Sequence, residues 1–174
     1  MMASLARAHI VALSRADAVN QATRGKIRKR VQQVAPQTVW LELEHQPTGY
    51  VNSLGKRMPL DVLRGQRVAA FCGIGNPGGF RHTLASCGLD VAAFRALPDH
   101  CAYPSEEIAR LASWVSELSE ACPVICTRKD LVKLSQDDLA GLPLWALEIQ
   151  LSITTGQAEL CDVLSRLSGD WQWK

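Results

Sequence analysis

The stretch RVAAFCGIGNPGGFRHTLASCGLDVAAFRAL (67–97) decides the fold, because two apolar runs flank one segment that is rich in glycine. The runs at 67–74 and 89–97 have the length and apolar content of buried strands. The segment between them predicts a loop that opens a helix, with Pro77 suited to its first turn and Gly88 after its end. Strand, helix and strand in this order indicate parallel strands with a helix packed on them.

The same alternation extends in both directions along the chain. Residues 45–66 contain several prolines and glycines and are predicted to form a connector, with a small hairpin around 49–56. Ser105 is predicted to cap the clearest helix. We therefore predict an α/β fold, in which a parallel or mostly parallel sheet has flanking helices, as in an α/β/α sandwich. The other predicted strands are 9–13, 38–44, 123–127 and 144–154, and the other predicted helices are 18–34, 104–119 and 156–167.

The composition is that of an ordinary globular protein. Of the 174 residues, 47% are apolar and 21% are charged, which excludes a disordered chain. The formal net charge of +2 is too small to indicate nucleic acid as a partner. The six cysteines form no CxxC pair, and there is neither a secretory signal nor an apolar run of about 18 residues. We therefore expect free thiols, a cytoplasmic location and no membrane span.

Basic residues concentrate in the predicted helix at 18–34. The cluster has two interpretations: a solvated helix face, or a surface for phosphate or an anionic lipid. The residues concerned are Arg24, Lys26, Arg28, Lys29 and Arg30.

Residues able to do chemistry follow four of the predicted strands. In a parallel sheet the carboxyl ends of the strands lie along one edge, and ligands bind there. We therefore expect the segments at 14–17, 73–78, 99–100 and 127–130 to meet at that edge.

The segment GIGNPG (73–78) has the G-x-G-x-x-G spacing of a dinucleotide-binding loop. In such a loop the glycines let a pyrophosphate approach backbone N–H groups at a helix N-terminus. Pro77 lacks one of those donors, and Asp99 is the only acid that could close the next strand. A nicotinamide site, a structural glycine turn and a loop that lines some other cleft all stay open.

Asp99 and His100 stand between an apolar run and a helix. Histidine can take a proton from an attacking hydroxyl near neutral pH. Adjacent side chains of an extended segment point in opposite directions, so we expect one to face the cleft while the other orients the turn. The alternative is a turn capped by Asp99 with His100 on the surface. No ligand spacing supports a zinc site that uses His100 and Cys101.

Two short motifs, SRAD (14–17) and TRKD (127–130), each follow a predicted strand. In nucleotide-binding α/β proteins a similar basic-x-Asp stretch can contact a base. A strand-end turn capped by the aspartate is the alternative for both motifs.

Taken in order, four segments resemble the C-terminal half of tetraacyldisaccharide 4′-kinase, the lipid A 4′-kinase of Gram-negative bacteria. The resemblance covers the chain from about Ala8 to about Ile153. The segments are HIVALSRAD, RVAAFCGIGNPGGFRHTLASCGLDV, LPDHCAY and VICTRKDLVKL.

The resemblance implies the C-terminal part of a P-loop-kinase-like protein, which has two α/β/α domains joined by a small two-stranded linker. We accordingly expect residues 1–44 to be a remnant of the nucleotide-binding domain and residues 45–66 to be the linker. Residues 67–155 would form the C-terminal α/β domain, and residues 156–174 a terminal helix and tail.

The resemblance also implies a reaction, in which the γ-phosphate of ATP passes to the 4′-hydroxyl of an acylated disaccharide lipid and Mg²⁺ bridges the phosphates. By this resemblance His100 matches the histidine of the family's Asp-His motif, which works with a carboxylate from the other domain to activate the sugar hydroxyl, and Asp99 would orient its loop. No metal ligand is expected in this chain. The other residues expected at the substrate or nucleotide cleft are Gly73, Gly75, Asn76, Tyr103, Arg15, Asp17, Thr127, Lys129 and Asp130.

Motifs of the family's N-terminal half do not occur in this sequence: an apolar membrane-associating segment, a P-loop ending in Gly-Lys-Thr, and an Asp-Asp-Gly motif. Neither Gly-Lys pair, at 25–26 and at 55–56, is followed by Ser or Thr. We therefore expect the ligands of ATP and Mg²⁺ to lie in a separate N-terminal half. The chain, from a truncated, split or mis-started gene, is expected to be inactive unless that half is supplied in trans.

Two other functions stay open at this point. One is a non-catalytic α/β module that binds an anionic lipid or a partner protein, and the other is a nicotinamide-dependent oxidoreductase built on GIGNPG. For the kinase, the expected partners are ATP, the acylated disaccharide and the N-terminal half, without nucleic acid. Peripheral association would place it at the cytoplasmic face of the inner membrane.

Overall fold

The computed structural model describes residues 5–118 and 122–168 of the chain. Of the terminal helix and tail predicted at 156–174, residues 169–174 lie outside the described residues. Strands and helices alternate, which confirms an α/β fold with a mostly parallel sheet. The strands are β1 (Ile10–Ser14), β2 (Val39–Val51), β3 (Arg57–Met58), β4 (Arg67–Cys72), β5 (Asp90–Ala96), β6 (Val124–Thr127), β7 (Asp138–Leu139) and β8 (Leu142–Thr155). The helices are α1 (Gln21–Val34), α2 (Pro77–Ser86), α3 (Ser105–Ser116), α4 (Arg128–Leu134) and α5 (Gln157–Ser168).

The start of α3 differs from the prediction. Ser105 is not the N-cap, because it already lies inside the helix and Pro104 precedes it as the cap. The extended backbone of Pro104 allows its carbonyl to accept the N–H groups of Glu107 and Ile108. Proline at this position fixes the entry of the chain into α3 without a side-chain cap.

The described chain divides into two compact units. Residues up to Gln46 and from Gln150 onward belong to the first unit, and Pro47–Ile149 form the second. Strands β2 and β8 therefore contribute residues to both units. The boundaries expected from the family resemblance, at 44, 66 and 155, stay a prediction about domains.

The second unit is built on parallel strands in the order β8-β6-β4-β5. Strand β4 pairs in parallel with β5 and β6, and β6 pairs in parallel with β8. Two short antiparallel pairs flank this arrangement: β3 with the end of β2, and β7 with the start of β8. The pair of β2 and β3 is the hairpin predicted around 49–56.

The central strands β4 and β6 of the second unit bury both of their faces, as expected where helices cover each side of a sheet, whereas the edge strand β5 stays half-buried or exposed. Because side chains alternate along β4, Phe71 lies in one apolar cluster while Ala70 and Cys72 lie in the other. The first cluster includes Leu111 and Val115 of α3 and Leu131 and Leu134 of α4. The second cluster includes Phe80 and Leu84 of α2.

The first unit pairs β1 in parallel with the first half of β2. Helix α1 begins at the N-cap Asn20, whose side chain accepts the N–H of Thr23. Arg24 then anchors the helix to β2 through a 2.8 Å ion pair with Glu42. Gly156 follows β8 with a φ of 86°, and a Cβ there would collide with the backbone of Trp40, so this turn needs glycine.

Candidate functional site

A cleft of about 610 Å³ lies in the second unit, where residues after β4, β5 and β6 come together. Three of the four segments predicted to meet at the strand ends contribute to it. Its lining residues are Gly73, Ile74, Gly75, Asp99, His100, Arg128, Lys129, Val132 and Lys133.

A buried carboxylate lies beneath this cleft. Asp130 is fully buried, and its Oδ1 accepts the N–H of Gly73 at 3.2 Å and the hydroxyl of Tyr103 at 2.7 Å. Its Oδ2 accepts the hydroxyl of Thr127 at 2.6 Å. Thr127 in turn caps α4 by accepting the N–H of Asp130. Asp130 thereby joins the end of β4, the start of α4 and the loop that follows β5.

Tyr103 and Thr127 therefore support the cleft and are not among its lining residues. Tyr103 is buried in an apolar cluster, where its ring meets the edge of Phe71 at a centroid separation of 6.2 Å. Burial raises the pKa of its hydroxyl, and the hydrogen bond to Asp130 raises it further. Tyr103 thus stays protonated and acts as a permanent hydrogen-bond donor to Asp130.

The glycine at the end of β4 permits this close packing. A Cβ on Gly73 would lie 3.1 Å from the hydroxyl oxygen of Tyr103 and 3.1 Å from Cβ of Cys101. A Cβ on Gly75 would lie 3.0 Å from Oδ2 of Asp99. The first two glycines of GIGNPG therefore allow the loop after β5 to approach the backbone of the loop after β4.

Asp99 and His100 stand at the mouth of the cleft, with side-chain exposures of 52% and 87%. The expected divergence of the two side chains is wrong, because the backbone is not extended here: His100 has a φ of 61°. Oδ1 of Asp99 accepts the N–H of His100 at 3.0 Å, and Oδ2 lies 3.8 Å from Nε2 of the imidazole. The N–H of His100 also points toward the carbonyl of Gly73, at 3.3 Å. Asp99 and the carbonyl of Gly73 thus hold the backbone of His100 at the mouth of the cleft.

The opposite side of the cleft is cationic and comes from α4. Lys133 donates a hydrogen bond to the carbonyl of Cys101 at 2.9 Å, and Arg128 lies 3.8 Å from the carboxylate of Glu148. Lys129 is exposed beside them. Sequence reasoning missed the contribution of Val132 and Lys133, although TRKDLVKL carries a signal for both. If Thr127 caps a helix, residues three and four apart fall on one face, which places 128, 129, 132 and 133 together.

The rest of GIGNPG shapes a helix start. Asn76 caps α2, since its Oδ1 accepts the N–H of Gly79 at 2.9 Å, and Pro77 is the first residue of the helix. Asn76 is not among the residues that line the cleft. One N–H at this N-terminus is bound by Asn76 and another is replaced by the Pro77 ring, so a pyrophosphate would find few free donors here.

The fourth predicted segment, 14–17, belongs to the first unit. Arg15 has a left-handed φ of 56°, and Asp17 lies exposed in a short 3₁₀ turn. The preceding Ser14 has its Oγ 3.1 Å from Nε2 of His45. Burial lowers the pKa of His45, the charge of Arg15 lowers it further, and Asp17 acts in the opposite direction.

The described residues contain no cluster of metal-ligating side chains. No group of three or more His, Cys, Asp or Glu side chains in residues 5–118 and 122–168 is placed to hold a metal ion. Both oxygens of Asp130, the buried carboxylate nearest the cleft, already accept hydrogen bonds.

Fold and site together define a class: an α/β protein whose strand-end cleft combines an exposed Asp-His pair with a cationic helix face. The model of the tetraacyldisaccharide-1-P 4′-kinase family matches residues 3–168 of the sequence. The chain belongs to this family.

Curated relatives agree with this assignment. A tetraacyldisaccharide 4′-kinase of Anaeromyxobacter is 32% identical over 96% of the chain, and one of Syntrophus aciditrophicus is 36% identical over 63% of it. The matched regions span 47% and 29% of those two proteins, so the chain covers half of their length or less.

One solved structure has the same fold. The crystal structure of LpxK from Aquifex aeolicus in complex with ATP superposes with a TM-score of 0.52 and 23% identity. The superposition covers 91% of this chain and 51% of the Aquifex aeolicus chain.

Proposed function

We propose that this chain supplies the acceptor side of a lipid A 4′-kinase, in which His100 takes the proton of the 4′-hydroxyl of an acylated disaccharide 1-phosphate. Family membership supports this proposal, and the observation that carries it is the exposed imidazole of His100 at the mouth of a strand-end cleft. Asp99 supplies the negative charge that stabilises the imidazolium after proton transfer.

The proposed step breaks two bonds and forms two, and His100 receives the released proton. The O–H bond of the sugar breaks and its proton moves to His100, while the sugar oxygen forms a bond to the γ-phosphorus of ATP. The bond between that phosphorus and ADP breaks at the same time. On the opposite side of the cleft, Lys129 and its neighbours on α4 offer positive charge to anionic groups of the reactants.

We propose in addition that the 174 residues alone do not transfer phosphate. The described residues contain no group of three or more His, Cys, Asp or Glu side chains placed to hold a metal ion, and the sequence has no Gly-Lys-Ser/Thr motif to cradle the phosphates. ATP, Mg²⁺ and an acylated disaccharide 1-phosphate should give no product with the purified chain. Product should form when the unmatched N-terminal part of the Anaeromyxobacter relative is added.

Two results would contradict these proposals. Magnesium-dependent phosphorylation by the purified chain alone would overturn the proposed inactivity. A complemented enzyme that is stable and binds ATP but never phosphorylates the disaccharide would overturn the proposed kinase.

A second proposal concerns peripheral association with an anionic membrane through α1. No residue of α1 is acidic, and Lys26, Arg28, Lys29 and Arg30 are exposed on it. Such a helix attracts anionic lipid headgroups in a salt-dependent manner. Liposome flotation should therefore show binding to phosphatidylglycerol vesicles that falls between 50 and about 300 mM salt. Replacing Lys26, Arg28 and Lys29 by glutamine should abolish it, and equal flotation of that variant would contradict the proposal.

The nicotinamide hypothesis receives no support from the geometry or from the comparisons. Asn76 and Pro77 occupy the helix start that a dinucleotide would need.

None of the described helices has the length and apolar content that a membrane-crossing helix requires.

A further inference from the structure

A second groove, of about 530 Å³, adjoins the candidate cleft in the second unit. Arg128 and Val132 of α4 line both cavities. From there the second groove continues to the hairpin turn between β2 and β3, where Leu54 and Gly55 line it. The two cavities therefore form one surface that starts at His100 and ends at the hairpin turn.

Two exposed apolar side chains lie on this groove. Leu54 is 76% exposed and Val132 is 66% exposed, the highest values among the large exposed hydrophobic residues of the described chain. The turn itself does not need Leu54. Its shape comes from Asn52, whose Oδ1 accepts the N–H of Lys56 at 2.8 Å, and from Gly55, whose φ is 79°. Because both line the same groove, Leu54 and Val132 offer apolar surface to a ligand that lies in it.

The charges beside the groove restrict the class of ligand. Arg128, Lys129 and Lys133 provide positive charge at the end nearest His100. At the other end Asp137 is held by a hydrogen bond from the hydroxyl of Ser53. A free nucleotide or an acidic peptide could use the cations but would leave Leu54 and Val132 in water. An amphiphile with a phosphate and an acyl chain uses both.

We propose that the groove lined by Leu54 and Val132 binds an acyl chain of the lipid phosphate whose sugar hydroxyl lies beside His100. The inference rests on the proposed function, and it adds a specificity site to it. The acyl chain covers Leu54 and Val132, while the cations of α4 bind the anionic part of the same molecule. The groove thereby fixes the disaccharide relative to His100.

The test uses the 174-residue chain and a soluble amphiphile, dihexanoyl phosphatidic acid below its critical micelle concentration. Titrations followed by ¹H–¹⁵N NMR should shift the amides of 52–55 and of α4. Leu54→Asn should raise the Kd about tenfold, the factor that corresponds to loss of one or two buried methylene contacts. Val132→Thr, which is nearly isosteric, should raise it about threefold.

Matched controls separate the acyl contact from other effects. Val62, which is 47% exposed and does not line the groove, provides the control Val62→Thr, and this variant should bind like the wild type. Inorganic phosphate should bind the wild type and Leu54→Asn equally, because it lacks an acyl chain.

Three outcomes would show that the groove does not bind an acyl chain. An unchanged Kd for Leu54→Asn, an equal loss for Val62→Thr, or no saturable binding by the wild type overturns the inference. The complemented kinase assay reports on the proposed function separately. If phosphoryl transfer occurs and the groove variants bind normally, only the groove is wrong; if the groove variants lose binding and transfer never occurs, only the kinase is wrong.

Discussion

At the scale of single residues, Asp130 determines the geometry beneath the cleft. Its carboxylate is fully buried and accepts hydrogen bonds from Gly73, Tyr103 and Thr127. A buried carboxylate is stable only while such donors are present, and losing one of them leaves part of its charge uncompensated. The backbone of Gly73 and the loop that carries His100 therefore depend on a residue that does not line the cleft.

Removing the hydroxyl of Tyr103 should be costly. We expect Tyr103→Phe to lower the free energy of unfolding by about 1.5–3 kcal/mol, the range for hydrogen bonds to charged groups. Urea denaturation of the purified chain measures this difference.

Tyr50 provides the matched control. It is fully buried, but among the described residues its hydroxyl has no hydrogen-bond partner. Tyr50→Phe should therefore be neutral within about 0.5 kcal/mol, or stabilising. Equal losses for the two variants would show that the hydrogen bond to Asp130 is not what stabilises the site.

At the scale of elements, the sequence predicted more of the strands and helices than of the site. The strand-helix-strand order follows from apolar runs and from Pro77 and Gly88, which are local signals. The helical character of TRKDLVKL depends on the capping of α4 by Thr127 and on burial of Leu131 and Leu134, which only the packed sheet provides. For that reason the cationic face of α4 was not predicted as a unit.

Two glycines in different elements should respond oppositely to alanine. In α1, a Cβ on Gly25 meets nothing within 4 Å, so Gly25→Ala should stabilise the protein by about 0.5–1 kcal/mol. At the end of β4, Gly73→Ala should destabilise it, because its Cβ would crowd Tyr103 and Cys101. Thermal unfolding of the two variants measures both signs. A stabilising Gly73→Ala would contradict the close packing of the two loops.

At the scale of the whole molecule, three of the four predicted strand-end segments line one cleft, but the sequence could not indicate where the chain divides into two compact units. The sequence places 14–17 and 99–100 at equivalent strand ends, yet they belong to different compact units. The sequence also does not predict the left-handed backbone of His100. This conformation results from a contact with Gly73, which is distant from His100 in sequence. Long-range pairing, not local pattern, determines these features.

Buried thiols should make the fold sensitive to alkaline pH. Burial raises the pKa of Cys72 to about 11, whereas the pKa of a thiol in an unfolded chain is about 8.5. The unfolded state therefore loses its proton first, so the stability from Cys72 is complete below about pH 8.5 and falls as the pH approaches 11. Unfolding free energies between pH 8 and about 10.5 should decline.

Two alanine variants identify the source of that decline. Cys72→Ala should make the decline of the unfolding free energy with pH less steep. Cys161→Ala should leave it unchanged, because Cys161 is exposed. An identical pH dependence for Cys72→Ala and the wild type would remove the thiol of Cys72 from the explanation.

The proposed role of His100 as the base in phosphoryl transfer is tested most directly by the rate of the complemented enzyme with His100 replaced. His100→Ala should lower kcat about a hundredfold or more, as expected for loss of a general base. His82→Ala is the matched control, since His82 is an exposed histidine on α2 that does not line the cleft. It should leave the rate unchanged. Equal rates for His100→Ala and the wild type would contradict the proposed role.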